Sequence, residues 1–347
     1  SIEQNKLSLD QTIDKFFPEI KNANKITVYQ LLHHRSGIHS FTNDDNYLSY
    51  ASNHLSEKEL LDIIIKGGSD FTPDKKAEYS NSNYVLLTFI LERVNKKTYA
   101  ELLQEHITKP LGMKHTSVGS KIDINNIDCN SYAFEGAWIK GMETDPSVPR
   151  GAGAIVSTPS DLLIFSNALF GGKIVSSKSL AQMKEMKEDY GAGLFESPFG
   201  TRVCYGHTGG IDGFSSDFGY LADGDVSYAL ISNGNDFNNN TIAITLLNAA
   251  YGFPFDIPSF ASIEVNEAQM KQYIGVYSSP TFPMKITIRA EKNVMMAQAT
   301  GQSSFPLEAT AKDEFQFHQA GIVLQFDTAK HTMLLKQGSG EFLLTRE

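Results

Sequence analysis

The sequence predicts an α/β fold, an antiparallel sheet flanked by helices, followed by a small all-β domain of antiparallel barrel or sandwich type. Three patterns carry this expectation. Through the first two-thirds, helix signals alternate with Gly-rich joints. From about Arg202 the period becomes that of strands, and two runs flank Ala222-Asp223-Gly224-Asp225, where Asp-Gly signals a hairpin. After Phe253-Pro-Phe-Asp-Ile-Pro258, short apolar runs are separated by turn residues at close spacing.

The elements follow in order. Thr27 with Gln30 reads as a capping box opening a short helix through Leu31 and Leu32, stopped at Ser36-Gly37. Ser56 with Glu59 opens a second, closed by Gly67-Gly68. Ser82 to Val94 carries a broad apolar face, so it is expected to be deeply packed. Thr98 with Glu101 starts another helix, and Thr158-Pro-Ser-Asp161 starts one that ends at Gly171-Gly172. Strands are expected at Phe214 to Tyr220 and Val226 to Ile231, then a helix at Asn239 to Ala250. Six further runs (Met284 to Ala290, Val294 to Ala299, Phe315 to His318, Ile322 to Asp327, Met333 to Lys336, Phe342 to Thr345) make the C-terminal β domain. A boundary near Ser259 divides the chain into 1–258 and 259–347.

Composition bounds the function. At 347 residues, 41% hydrophobic and 20% charged, the chain is ordinary globular material, neither disordered nor collagen-like. A net charge of −10 with no basic block argues against a nucleic-acid partner. The longest apolar stretch, Tyr84 to Leu91, falls well short of a membrane span, so no transmembrane segment is expected. Cys129 and Cys204 match no metal spacing; they could pair if the chain is exported, or stay free. The first residues carry no signal-peptide pattern.

Common catalytic signatures are absent: no P-loop, no Gly-x-Gly-x-x-Gly, no His-Glu-x-x-His and no Gly-x-Ser-x-Gly. Two short polar motifs remain. Tyr79-Ser80-Asn81 stands between a polar loop and an apolar helix, where residues 79 and 81 would project into a cleft. His207-Thr208-Gly209-Gly210 stands at an expected strand start, with small residues that let another backbone approach. Each alone reads more readily as an ordinary capping turn or strand-entry turn. Among the other polar groups, His33, His34, His39 and His54 read as capping or surface residues, and Glu78 as a solvated loop acid. Trp138 and Phe134 either line a cleft or pack. No metal or cofactor site is expected.

Taken together, the motifs resemble those of the serine hydrolases that share a fold with penicillin-binding proteins and class C β-lactamases. The likeness covers most of residues 1–255. Lys6-Leu-Ser-Leu-Asp10 with Phe17-Pro18 looks like the segment after that family's nucleophile helix. Ile26-Thr-Val-Tyr-Gln-Leu-Leu-His-His-Arg-Ser-Gly-Ile38 is similar to its ITIRxLLxHTSGI stretch. Tyr79-Ser-Asn81 matches the Tyr-x-Asn motif, and Gly151 to Asp161 resembles the Gly-rich run into Ser-Thr-x-x-Asp-Leu. Tyr190-Gly-Ala-Gly193 looks like Tyr-Gly-x-Gly, and His207-Thr-Gly209 like Lys-Thr-Gly with His for Lys.

The resemblance implies a β-lactamase/DD-peptidase-like fold with an all-helical subdomain carrying Tyr79 and Asn81. It implies a serine that forms an acyl-enzyme, later hydrolysed by water. Tyr79 would shuttle the proton, which needs cationic neighbours because a free phenol has a pKa of about 10. Asn81 would orient a lysine and a substrate amide. His207 would meet a substrate carboxylate when protonated, Thr208 would add a hydroxyl, and Gly209 would complete the binding edge. The Gly210 N–H would supply half an oxyanion hole, worth about 3–4 kcal/mol. The chain departs from the pattern at one place: no serine has lysine three residues on. By resemblance that Ser-x-x-Lys belongs about a dozen residues before Ser1, and the chain is expected to start partway along the nucleophile helix. DD-carboxypeptidase or D-amino-acid peptidase activity on a small molecule or peptide with a carboxylate is implied. A β-lactamase or small-ester hydrolase is a second reading, and an inactive protein that binds peptides or peptidoglycan fragments is a third. A periplasmic or extracellular location is implied by the family alone. Oligomeric state stays open.

Overall fold

The computed structural model describes all residues except 135–136, 256, 258–261, 292–293 and 338–339. Two compact units emerge, Ser1–Gly234 and Asn235–Glu347, so the helix Asn239–Tyr251 groups with the second. The boundary expected near Ser259 lies outside the described residues.

In the first unit, three expected capping boxes form. Thr27 caps α1 (Val28–Leu32), Ser56 caps α2 (Glu57–Gly67), and Thr98 caps the turn Tyr99–Leu103. In each the cap side chain accepts from the N3 amide while the N3 side chain takes the cap N–H, satisfying two orphan donors. The helix after Tyr79, α3 (Asn81–Asn95), buries Val85, Leu86, Phe89 and Ile90. These join Ile13, Phe17, Ile26, Leu31, Phe41, Leu60 and Ile64 in the core of an all-helical region. Thr158 caps α4 (Pro159–Phe170), as its Pro at the first turn predicts. Gly37 has φ +76°, and a Cβ there would stand 2.1 Å from the Phe71 carbonyl oxygen. Only glycine lets the chain after α1 turn so tightly.

A short hairpin, β1 (Tyr132–Phe134) and β2 (Trp138–Lys140), precedes the main sheet. That sheet is four-stranded and antiparallel, in the order β3 (Phe195–Phe199), β4 (Arg202–Ile211), β5 (Phe214–Leu221), β6 (Val226–Ser232). Helix α4 packs on β5, with Phe165 edge-on to Phe218 and Phe170 stacked on Tyr220 at 4.4 Å. His207 lies well inside β4 rather than at its start, because the pairing already runs from Arg202 through Gly206 against β3. Register decides what stays uncovered. The β3 ladder ends at the pair Phe195–Gly206, so it leaves the His207–Ile211 side of β4 open, while β5 pairs the other side.

The second unit closes into an eight-stranded antiparallel barrel, which selects the barrel over the sandwich. Its strands are β7 (Gly275–Ser279), β8 (Phe282–Glu291), β9 (Val294–Ala299), β10 (Phe305–Ala311), β11 (Glu314–Phe317), β12 (Ile322–Asp327), β13 (Thr332–Gln337) and β14 (Gly340–Arg346). Every second residue points inward, and Tyr277, Ile288, Met295, Phe315, Leu324, Met333 and Leu344 fill the interior. Two strands were not legible: β7 carries Gly275 and two serines around a single buried ring, Tyr277, and β10 carries Pro306, Glu308 and Thr310 outward with only Leu307 and Ala309 inside.

Candidate active site

The two polar motifs meet in the first unit. Tyr79 lies just before α3 and His207 on β4, and their rings are 6.3 Å apart between centroids. Residues 208–210 are exposed along the open side of β4. Asn81 opens α3; its side-chain amide donates to Thr42 Oγ1 at 2.9 Å, and its backbone N–H donates to Ser40 Oγ at 3.0 Å. The chain therefore brings Tyr79, His207 and the Thr208-Gly209-Gly210 edge to one place, with Asn81 two residues beyond Tyr79 and tied to the loop after α1.

Aromatic rings surround these groups. Phe195 stacks on His207 at 4.2 Å, and Tyr190 and Phe195 lie 6.4 and 6.3 Å from Tyr79. The last strand residue to pair with β4 thus covers one face of the imidazole. Phe195 carries no polar chemistry and belongs to no motif, so its part could only come from tertiary structure.

His34 corrects the expectation of a capping or surface histidine. It is 3% exposed, because α1 has ended and φ +54° turns the chain inward. Its ring packs on Tyr79 at 4.4 Å, Tyr84 at 5.1 Å and Tyr190 at 5.2 Å. Its Nδ1 accepts the Ser80 N–H at 3.0 Å, so the ring proton of the neutral form sits on Nε2. The signal that could have found it is its place in the His-Arg-Ser-Gly turn directly after an apolar helix.

The neighbouring Arg35 works on the outside of the same loop. Its guanidinium pairs with Asp74 at 2.6 Å and Glu188 at 3.1 Å, and Glu188 also accepts the Ala77 N–H at 2.7 Å. The loops before Tyr79 and before Tyr190 are tied together in this way. Glu78 is the solvated acid expected, paired with Lys76. His39 lies between Asp70 and Asp44, and His54 is exposed beside Asp145.

Burial sets the ionisation. It drives His34 down to about 3, helped by the nearby imidazole of His207. Burial also lowers His207, against a smaller opposing effect of the Thr208 carbonyl, 2.5 Å from Nδ1. Both rings are neutral at neutral pH. The Tyr79 phenol is raised by burial and then by Tyr190, so the phenolate is disfavoured in this surrounding. The cationic neighbours that a phenolate needs are not among the causes acting on it. Cys129 and Cys204 are free thiols, and burial pushes Cys204 up to about 11. Among the described residues no cluster of His, Cys, Asp and Glu fits a metal ion, and no helix is long and apolar enough to cross a membrane.

Residues 1–252 match the Beta-lactamase family. The chain is 27% identical over 234 residues to a putative penicillin-binding protein, PbpX, of Bacillus subtilis, covering 67% of this chain and 57% of that protein. It is 23% identical to a teichoic acid D-alanine hydrolase of Staphylococcus aureus, over 60% of this chain and 53% of that one. It thus spans little more than half the length of these two relatives. Among solved structures, a D-amino acid amidase of Ochrobactrum anthropi is 30% identical with a TM-score of 0.61, covering 67% of this chain and 71% of that one. A penicillin-binding protein homologue from Pyrococcus abyssi has a TM-score of 0.67 over 99% of this chain and 84% of that one, at 21% identity, which shows shared fold.

Proposed function

The chain belongs to the Beta-lactamase family, and from that premise we propose that it serves a serine-dependent acyl transfer from a D-alanyl or related D-amino-acyl peptide, amide or ester to water. DD-carboxypeptidase or D-amino-acid peptidase chemistry is the form we favour. The observation that carries this reading is the convergence of Tyr79 and His207, 6.3 Å apart, on the open side of β4. An extended substrate would add to that edge by backbone pairing, with its carbonyl beside the Gly210 N–H. In the reaction, serine oxygen bonds the carbonyl carbon as the leaving group departs with a proton, and water then returns the serine. Tyr79 would carry that proton once a cationic lysine lowers its phenol. His207, donating through Nδ1 toward Thr208, would present Nε2 to the substrate's carboxylate and donate to it once protonated. The printed activities of the relatives, D-alanine hydrolase and D-amino acid amidase, support a D-amino-acyl substrate. Such relatives also favour a location outside the cytoplasm.

Since no serine here has lysine three residues on, residues 1–347 are expected to bind such substrates without becoming acylated. Two measurements test this. Calorimetry should detect N-acetyl-D-alanyl-D-alanine, with binding lost in His207→Ala. Intact-mass spectrometry after fluorescent penicillin or a fluorophosphonate should show no adduct. A stoichiometric adduct would overturn the assignment of the nucleophile, and absence of binding would overturn the site.

A further inference from the structure

We propose that Thr42 is a further substrate-binding residue, whose hydroxyl donates to the neutral carbonyl oxygen of the amide on the acyl side of the substrate. This rests on the D-amino-acyl reading above and names the group that holds the part of the substrate beyond the reacting residue.

Thr42 sits on a short 3-10 turn, Phe41–Asn43, that is held from several sides. The Phe41 N–H donates to the Ser82 hydroxyl at 3.1 Å, and that hydroxyl donates to the His39 carbonyl at 2.6 Å. The Tyr50 hydroxyl donates to the Phe41 carbonyl at 3.3 Å. His39, just before the turn, stands between Asp70 and Asp44, with its ring nitrogens 2.9 and 3.2 Å from their carboxylates. Phe41 and Ser82 are buried, so the turn is fixed against the first turn of α3. Thr42 is the half-buried residue of that turn, and it reaches Asn81.

Hydrogen bonding sets the direction of the Thr42 hydroxyl. Ser40, 3% exposed, accepts the Asn81 N–H at 3.0 Å, and its own proton goes to Thr42 Oγ1 at 3.1 Å. Thr42 Oγ1 also accepts from the Asn81 side-chain amide at 2.9 Å. A hydroxyl has two acceptor sites, so both are taken, and the Thr42 proton is left for a partner outside this network. Ser80, at φ −144° and ψ 117°, is extended, so Tyr79 and Asn81 project to one side and Ser80 to the other. Bonded to the Asn81 amide, Thr42 therefore stands on the side where Tyr79 meets His207.

The occupant follows from strand geometry and charge. In an extended chain successive carbonyls point to opposite sides. When the reacting carbonyl turns toward the Gly210 N–H, the carbonyl before it turns away from β4, toward the start of α3 with Asn81 and Thr42. Asp44 and Asp45 lie two and three residues beyond Thr42, so a neutral carbonyl rather than a carboxylate suits this donor.

The experiment titrates the full chain by calorimetry with N-acetyl-D-alanyl-D-alanine and with its N-thioacetyl counterpart. The second compound keeps the amide N–H but puts sulfur, a weak acceptor, in place of the accepting oxygen. The expected result is that both bind and that the acetyl compound binds about tenfold more tightly. Thr42→Val should bring the two affinities within about twofold of each other, whereas Thr42→Ser, which keeps the hydroxyl, should keep the preference. Two ligands are compared on one variant, so a change in stability does not mimic the result. Equal affinities in the unaltered chain, a preference that survives Thr42→Val, or one that Thr42→Ser loses as well would each overturn the role of Thr42 and leave the D-amino-acyl site standing. No heat of binding for either compound overturns both.

Discussion

The barrel of the second unit and the edge of β4 in the first obey opposite rules. The barrel alternates inward apolar and outward polar residues along each strand, closes its edges and fills its interior with Phe315, Met333 and their neighbours. Around β4 the rules are broken in one small region. A strand side is left open, an imidazole is buried, and the Ser80 hydroxyl is buried without a hydrogen-bond partner. Such violations cost stability, and a fold keeps them where chemistry or binding needs them. The barrel is built for stability, and the region around β4 is where the proposed recognition would take place.

Removing packed rings tests that division with the largest effect. Phe89→Ala, which empties a fully buried position on the inner face of α3, should cost roughly 3–5 kcal/mol, and Phe315→Ala should cost the barrel a similar amount. Denaturation followed by calorimetry checks both. Phe315→Ala should leave ligand binding intact at temperatures where the first unit stays folded; loss of binding there would erase the contrast.

A pH series comes next. Because the folded value of His34 lies at about 3 and an unfolded imidazole near 6.5, the unfolded chain binds the proton first. Stability contributed by the neutral ring is therefore complete above about pH 6.5 and lost as pH falls toward 3. Urea midpoints should drop across that window, and His34→Phe should flatten the drop while weakening the hold on the Ser80 amide. An unchanged slope would mean that the buried ring is not what makes this region acid-sensitive. The lowered His207 acts in the same direction on stability. For binding its sign is reversed: a carboxylate ligand should bind more tightly as pH falls through the depressed imidazole value, and His207→Gln should abolish that dependence in calorimetry.

Smaller effects sharpen the picture. Asp212→Ala removes acceptors for Thr144 and should cost about 1–3 kcal/mol by chemical denaturation, with increased acrylamide quenching of Trp138. Thr27→Ala should cost about 1 kcal/mol through the lost cap of α1. If the two were equal in their effect on quenching, the Asp212 anchor would not be specific to the hairpin.

Local features were legible wherever a few adjacent residues settle the outcome. The capping boxes at Thr27, Ser56 and Thr98, the Pro-led start of α4 and the Asp-Gly turn between β5 and β6 all form where their side chains dictate. Tyr79, Asn81 and the His207–Gly210 run stood out because polar and small residues interrupted apolar patterns. His34 and Phe195 did not stand out. Each looks ordinary beside its sequence neighbours, and its meaning comes from tertiary partners: Tyr79, 45 residues on, for His34, and His207 and Tyr79 for Phe195.

The sequence by itself determined most of the elements, the all-β character of the C-terminal strands and the family resemblance, since caps, periods and motifs act over a few residues, while closure of those strands into a barrel came from the structure. Tertiary structure alone decided that the β3 ladder ends at the pair Phe195–Gly206, that His34 turns inward among three tyrosines, and that the hairpin is fastened to Asp212 and Asn233. Register and burial depend on which distant surfaces meet, and the energies that choose them are summed over contacts no local window contains.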